Sequence, residues 1–152
     1  MDEKNYLAQE LARTIAQFKR LGRPPGSSHG IRPSEFMLLV TLTQCPGADS
    51  EGLKVSDLSA RMQITPAGVT HMINALEDGG YVERLADPTD RRVVLVKPTA
   101  RAKQFIEDMN AKFLEDLKGL VGFLGEQDSK ELIRLLSLAL TYFKERRERN
   151  AE

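Results

Sequence analysis

Mainly α with one small β-hairpin is the fold class this sequence predicts, on three observations. Apolar residues recur at helical spacing over most of the 152 positions. Two helix signals in mid-chain are separated only by Gln63 and Ile64. A single pair of strand-like runs brackets the turn Asp87-Pro88-Thr89-Asp90.

The elements follow in order. From Tyr6 to Leu21, the residues Leu7, Leu11, Ile15 and Phe18 share one helical face, and the pattern ends at Gly22 and the loop RPPGSSHG, whose prolines and glycines cannot continue a helix. Arg32-Pro33-Ser34-Glu35 is a second start signal, with Pro in the first turn and Glu complementing the helix dipole. Phe36, Leu39, Val40 and Thr43 are expected to line its buried face, and it stops before Pro46-Gly47, with QCPGADSEGL read as a turn. Val55-Ser56-Asp57-Leu58 opens a short helix with Ser56 as the expected cap. Thr65-Pro66 then gives a cap followed by Pro at the first helical position, and from Pro66 to about Asp78 the residues Val69, Met72, Ile73 and Leu76 form the buried stripe.

Asp78-Gly79-Gly80 ends that helix, Tyr81-Val82 begins a strand, Pro88 and Asp87 set the turn, and Val93 to Val96 is the returning strand. Thr99 or a neighbour caps a long helix through Phe105, Ile106, Met109, Phe113, Leu117, Leu120 and Val121, which Gly122 to Gly125 breaks; Glu126 to Arg149 forms the last helix. Two helices in a tight turn followed by a hairpin make a winged helix-turn-helix, here flanked by N- and C-terminal helices. The expected organisation is 1–32, an N-terminal dimerisation helix and loop; 33–98, the winged helix-turn-helix; and 99–152, a C-terminal helical dimerisation region.

Composition limits the function. Lysine plus arginine equals aspartate plus glutamate at 22 each, so bulk charge does not make this chain a nonspecific polyanion binder. Positive charge is instead local: Lys19, Arg20, Arg23 and Arg32 fall in an acid-free stretch from Phe18 to Pro33, and Arg91-Arg92 form a second cluster. Each cluster alone also fits a solvated surface. The opening MDEKNYLAQE lacks the basic and apolar pattern of a secretory signal, no apolar run reaches a membrane span, and a single cysteine, Cys45, precludes an intramolecular disulfide. Cytoplasmic residence without a membrane contact is the expectation.

The outward face of the Pro66 helix carries Ala67, Gly68, Thr70, His71, Asn74 and Ala75, small or polar side chains that would let a helix approach base-pair edges. Simple exposure accounts for such a face equally well. The hairpin beside it raises the nucleic-acid reading, because it extends a contact surface along a duplex and presents two arginines.

The run from Val55 to Thr99, with TPAGVTHMINALEDGGYV and then R-x-x-D-P-x-D-R-R before an aliphatic strand, resembles the multiple-antibiotic-resistance-regulator (MarR) family of winged helix-turn-helix transcription factors. The resemblance implies a homodimer on a pseudo-palindromic double-stranded DNA operator, in the manner of a repressor, modulated by a small aromatic or anionic effector. It implies that Arg92 enters the minor groove, oriented by an ion pair to Asp90, with Arg91 on phosphate. Arginine often stands in the family where His71 stands here, so base preference does not carry over. The candidate contacts are Thr65, Pro66, Ala67, Gly68, Thr70, His71 and Asn74 on the recognition helix, Asp90, Arg91 and Arg92 on the wing, and Ser56 and Arg61 at the DNA backbone.

The last helix argues independently for a second copy. Leu132, Ile133, Leu135, Leu136, Leu138, Leu140, Tyr142 and Phe143 cover more than one stripe, and a helix apolar on two sides must be buried on two sides. An enzyme has little support. The two histidines, His29 and His71, lack a carboxylate or cysteine at ligand spacing, and no phosphate-binding glycine loop or nucleophile elbow occurs, so neither cofactor nor metal is expected. The competing class is a winged-helix module that binds a protein partner without DNA. Charge neutrality favours it, and the arginine doublet at the hairpin tip opposes it.

Overall fold

The computed structural model describes residues 2–21, 30–48 and 51–150. The predicted loop between Gly22 and Gly30, with Arg23 and His29, lies almost wholly outside them. Among the described residues, six helices and three short strands occur in the order α1 (Glu3–Leu21), α2 (Pro33–Gln44), β1 (Leu53–Lys54), α3 (Val55–Met62), α4 (Pro66–Asp78), β2 (Val82–Ala86), β3 (Val94–Pro98), α5 (Ala100–Leu124) and α6 (Glu126–Arg149). The chain divides into two compact units, Met1–Met109 and Asn110–Glu152.

The first unit holds the core. Leu38, Leu39 and Leu42 of α2, Leu58 of α3, the α4 stripe Val69, Met72, Ile73 and Leu76, Val82 and Val96 of the sheet, and Ala102, Phe105 and Ile106 of α5 form one buried cluster. The α4 stripe is the one its i, i+3, i+4, i+7 spacing predicts. In α2 the buried face is rotated from expectation: Leu38 and Leu42 are fully buried, whereas Phe36, Val40 and Thr43 are only half-buried. Phe36 instead packs its edge on Phe105 at 6.1 Å, and Tyr81 tilts against the same ring at 5.4 Å.

Helix ends follow local chemistry. The Glu35 carboxylate accepts the Arg32 backbone N–H at 2.8 Å and pairs with the Arg32 guanidinium at 2.9 Å, which lets a carboxylate sit buried at the start of α2. α3 begins two residues earlier than Ser56 capping would require. Lys54 occupies the cap position and Ser56 lies exposed inside the first turn, because β1 delivers the chain extended up to Lys54. At the end of α4 the Tyr81 N–H donates to Leu76 O at 2.8 Å and the Gly80 N–H to Glu77 O at 2.9 Å, with Gly80 at φ +75°. The helix therefore stops within one residue and turns straight into β2. Thr99 caps α5 through its hydroxyl, which accepts from Ala102 N at 3.2 Å and donates to Gly80 O at 2.8 Å. Gly119 and Gly122 stay helical, and α5 ends only at Gly125, φ +80°.

The sheet is antiparallel in the order β1-β3-β2. β2 pairs with β3 from Val82 opposite Pro98 to Ala86 opposite Val94. β1 lies at the end of a stretch whose composition predicts a turn; it pairs Leu53 with Val96 and Lys54 with Leu95 and ties the segment before the helix-turn-helix to the hairpin. Gly52 at φ +80° makes the approach possible, since a Cβ there would lie 3.1 Å from both Leu95 Cβ and Val96 O.

In the second unit, the far half of α5 and α6 leave most large apolar side chains open. On α6, Ile133, Leu136 and Phe143 are 63%, 60% and 60% exposed. The apolar stripe of α1 in the first unit is equally uncovered, with Leu11 at 62% and Phe18 at 69%.

Candidate nucleic-acid interface

The site is built on α4 and the β2–β3 hairpin. Between α3 and α4, Gln63 takes a left-handed conformation, φ 55°, and the Ser59 hydroxyl and backbone hold Ile64 from both sides. This closes the turn in two residues and sets α4 against α3. Thr65 then caps α4, its hydroxyl oxygen accepting the Gly68 N–H at 3.2 Å, and Pro66 occupies the first position, where it has no amide to satisfy.

Burial of Val69, Met72, Ile73 and Leu76 forces the opposite face outward. Thr65, Pro66, Ala67, Thr70, His71 and Asn74 are exposed and Gly68 is half-buried. Thr70 turns its hydroxyl back to Pro66 O at 2.9 Å. A Cβ at Gly68 would meet Thr65 Oγ1 at 3.3 Å, so the smallest residue keeps the cap undisturbed. Ser56 and Arg61 are exposed on α3.

The hairpin tip is organised by two aspartates. Asp87 Oδ1 accepts from Thr89 Oγ1 at 2.6 Å, Thr89 N at 2.8 Å and Asp90 N at 3.1 Å. The Thr89 hydroxyl first, then the two backbone amides, hold the Asp87 carboxyl below the ordinary 3.8. Asp90 Oδ1 accepts the backbone N–H of Arg92 at 3.0 Å. This corrects the expected ion pair: Asp90 grips the Arg92 backbone in an Asx turn and makes no ion pair with its guanidinium, because the carboxylate is committed two residues along the chain. Arg91 and Arg92 are both exposed.

Arg84 opens the R-x-x-D-P-x-D-R-R run, and its role is not evident from that motif. Arg84 on β2 donates to Glu77 Oε2 through one nitrogen and to Asn74 Oδ1 at 2.5 Å through the other. No local spacing signals it, because the partners sit on another element. Elsewhere, Lys19 and Arg20 occupy the last turn of α1, and Cys45 is the half-buried C-cap of α2. Among the described residues no three His, Cys, Asp or Glu side chains are grouped to hold a metal ion, and no helix is long and apolar enough to cross a membrane.

A capped helix presenting a small polar face beside a hairpin tipped with arginines defines a winged helix-turn-helix DNA-binding regulator of transcription. The chain belongs to the MarR family, whose sequence profile matches residues 31–94. It is 31% identical over 113 residues to the HTH-type transcriptional regulator PrsX of Escherichia coli, an alignment spanning 74% of this chain and 66% of that protein. Its fold matches the YusO protein from Bacillus subtilis with a TM-score of 0.76 at 20% identity, over 93% of this chain and 99% of that one. The S. aureus MepR-DNA complex matches with a TM-score of 0.65 at 20% identity, over 91% and 98% of the two chains.

Proposed function

We propose that this protein is a homodimeric transcriptional repressor that binds a pseudo-palindromic operator in the cytoplasm, without catalysis. The outward face of α4 carries the reading: six exposed small or polar residues on a helix whose apolar stripe is fully committed to the core. In this reading α4 lies in the major groove with His71 and Asn74 toward base edges, and Ala67, Gly68 and Thr70 allowing close approach. The Thr65 hydroxyl and the first turn of α4 face phosphate, as do Arg61, Ser56 and Arg91. Arg92 enters the adjoining minor groove, its backbone held by Asp90. The shared fold with MepR, solved as a complex with DNA, supports DNA as the partner.

The uncovered apolar faces of α1 and of α6 each support a second copy, since a soluble monomer rarely leaves so many large apolar side chains in water. A two-fold dimer places two α4 helices about one helical turn of DNA apart. A small aromatic or anionic effector then acts by favouring one spacing of the two helices, a coupling free energy between two sites. Selection of bound DNA from a random pool at two salt concentrations tests the reading. An enriched inverted repeat whose binding weakens steeply with salt is expected; no enriched sequence, or salt-insensitive binding to a protein partner alone, would overturn it.

A further inference from the structure

The Arg84 bridge bears on which base Asn74 reads. β2 alternates, so Val82 and Arg84 share a sheet face, and Val82 is in the core against α4. Arg84 therefore projects toward the last turns of α4, where Asn74 and Glu77 lie one turn apart on the same side of the helix. Its guanidinium spans the two: one nitrogen on the Glu77 carboxylate, the other 2.5 Å from Asn74 Oδ1. The bridge is partly shielded, with side-chain exposures of 30% for Arg84 and 39% for Glu77.

Guanidinium has donors only, so the Asn74 atom facing it must be the amide oxygen, and the amide nitrogen is the end left for the groove. Asparagine usually reads adenine by accepting from N6 and donating to N7 together. Here the oxygen lies against a positive charge that repels the N6 amino group, while the two N–H donors remain.

We propose, resting on the DNA-binding reading above, that Arg84 is a positioning residue that fixes Asn74 as a hydrogen-bond donor to the major groove, so that this chain selects an edge with acceptors and no amino group, guanine or thymine, where Asn74 reads. A purely structural Arg84 would affect stability without changing one base column.

The test is random-pool selection with the parent and three variants, each checked by thermal melting. Asn74→Ala identifies the base column that Asn74 controls. The parent is expected to show guanine or thymine there. Arg84→Met keeps the aliphatic stem but removes every donor; it is expected to raise adenine in that column by roughly five- to tenfold and leave the other columns unchanged. Asn74→Asp keeps the Arg84 bridge and removes the donors, so it loses the guanine or thymine preference without a lower melting temperature. If Arg84→Met does not fold, Asn74→Asp decides: retained preference overturns the proposal. Adenine in the parent column, no column responding to Asn74→Ala, or a folded Arg84→Met with an unchanged column also overturns it. A parent that enriches no sequence overturns the DNA-binding reading itself, and this proposal with it.

Discussion

At the scale of single residues, His71 and Asp87 do different work. His71 is exposed on the outward face of α4 and contributes nothing to the core, so its removal is felt only by what it contacts. His71→Ala is expected to change base preference at one operator position while nonspecific affinity stays within about threefold, measured by selection and by titration of unrelated duplex. Equal loss on all sequences would assign His71 to phosphate. Asp87 organises the hairpin tip as a carboxylate, and its bonds to Thr89 and Asp90 lower its pKa below 3.8. For a depressed carboxyl the stabilisation is full above the unfolded value and is lost as pH falls through the folded one. The Thr89 and Asp90 amide resonances should therefore titrate together with a midpoint below 3.8; a midpoint at or above 3.8 would contradict the turn described. Arg84 is the first residue of the wing motif, but its role is not legible there. Its partners, Asn74 and Glu77, are brought to it by the packing of β2 on α4, and no motif spacing encodes that contact.

Among the elements, Gly52 is the most sensitive position. It combines φ +80° with close approach to Leu95 and Val96, so Gly52→Ala strains the backbone and pushes β1 off β3 together. A loss of about 1–3 kcal/mol in chemical denaturation is expected, with amide exchange accelerated first at Leu53 and Leu95; an unchanged midpoint would show that β1 does not brace the wing. α4 was legible almost to the residue, because Thr65-Pro66 starts it, Gly79-Gly80 stops it, and its four buried residues fit one helical stripe. β1 was not legible, since two residues show no periodicity and their strand character comes wholly from the edge of β3. The α2 face was misjudged by one position because that helix is apolar nearly all round, so neighbours and not spacing select Leu38 and Leu42. The Asp90–Arg92 pairing was right in its partners and wrong in its atoms, a distinction between side chain and backbone that residue identities do not carry.

For the whole molecule, a neutral chain with 22 charges of each sign can bind a polyanion only by placement. Arg91, Arg92 and Arg61 sit on the α3–α4–hairpin surface, and the apolar faces of α1 and α6 are what a second copy would cover. Leu136→Glu puts a charge on one such face. Sedimentation should show monomers, and operator affinity should fall by about 100-fold or more as the two half-sites cease to be linked; a monomeric parent binding equally well would refute the dimer. The most direct test of placed charge on a two-fold reader is a hydroxyl-radical footprint on the selected operator, with the parent and with Arg92→Ala. Two protected segments about 10 base pairs apart are expected, flanked by minor-groove protection that the parent shows and Arg92→Ala removes. A single protected segment, or flanking protection indifferent to Arg92, would contradict a two-fold reader with placed charge.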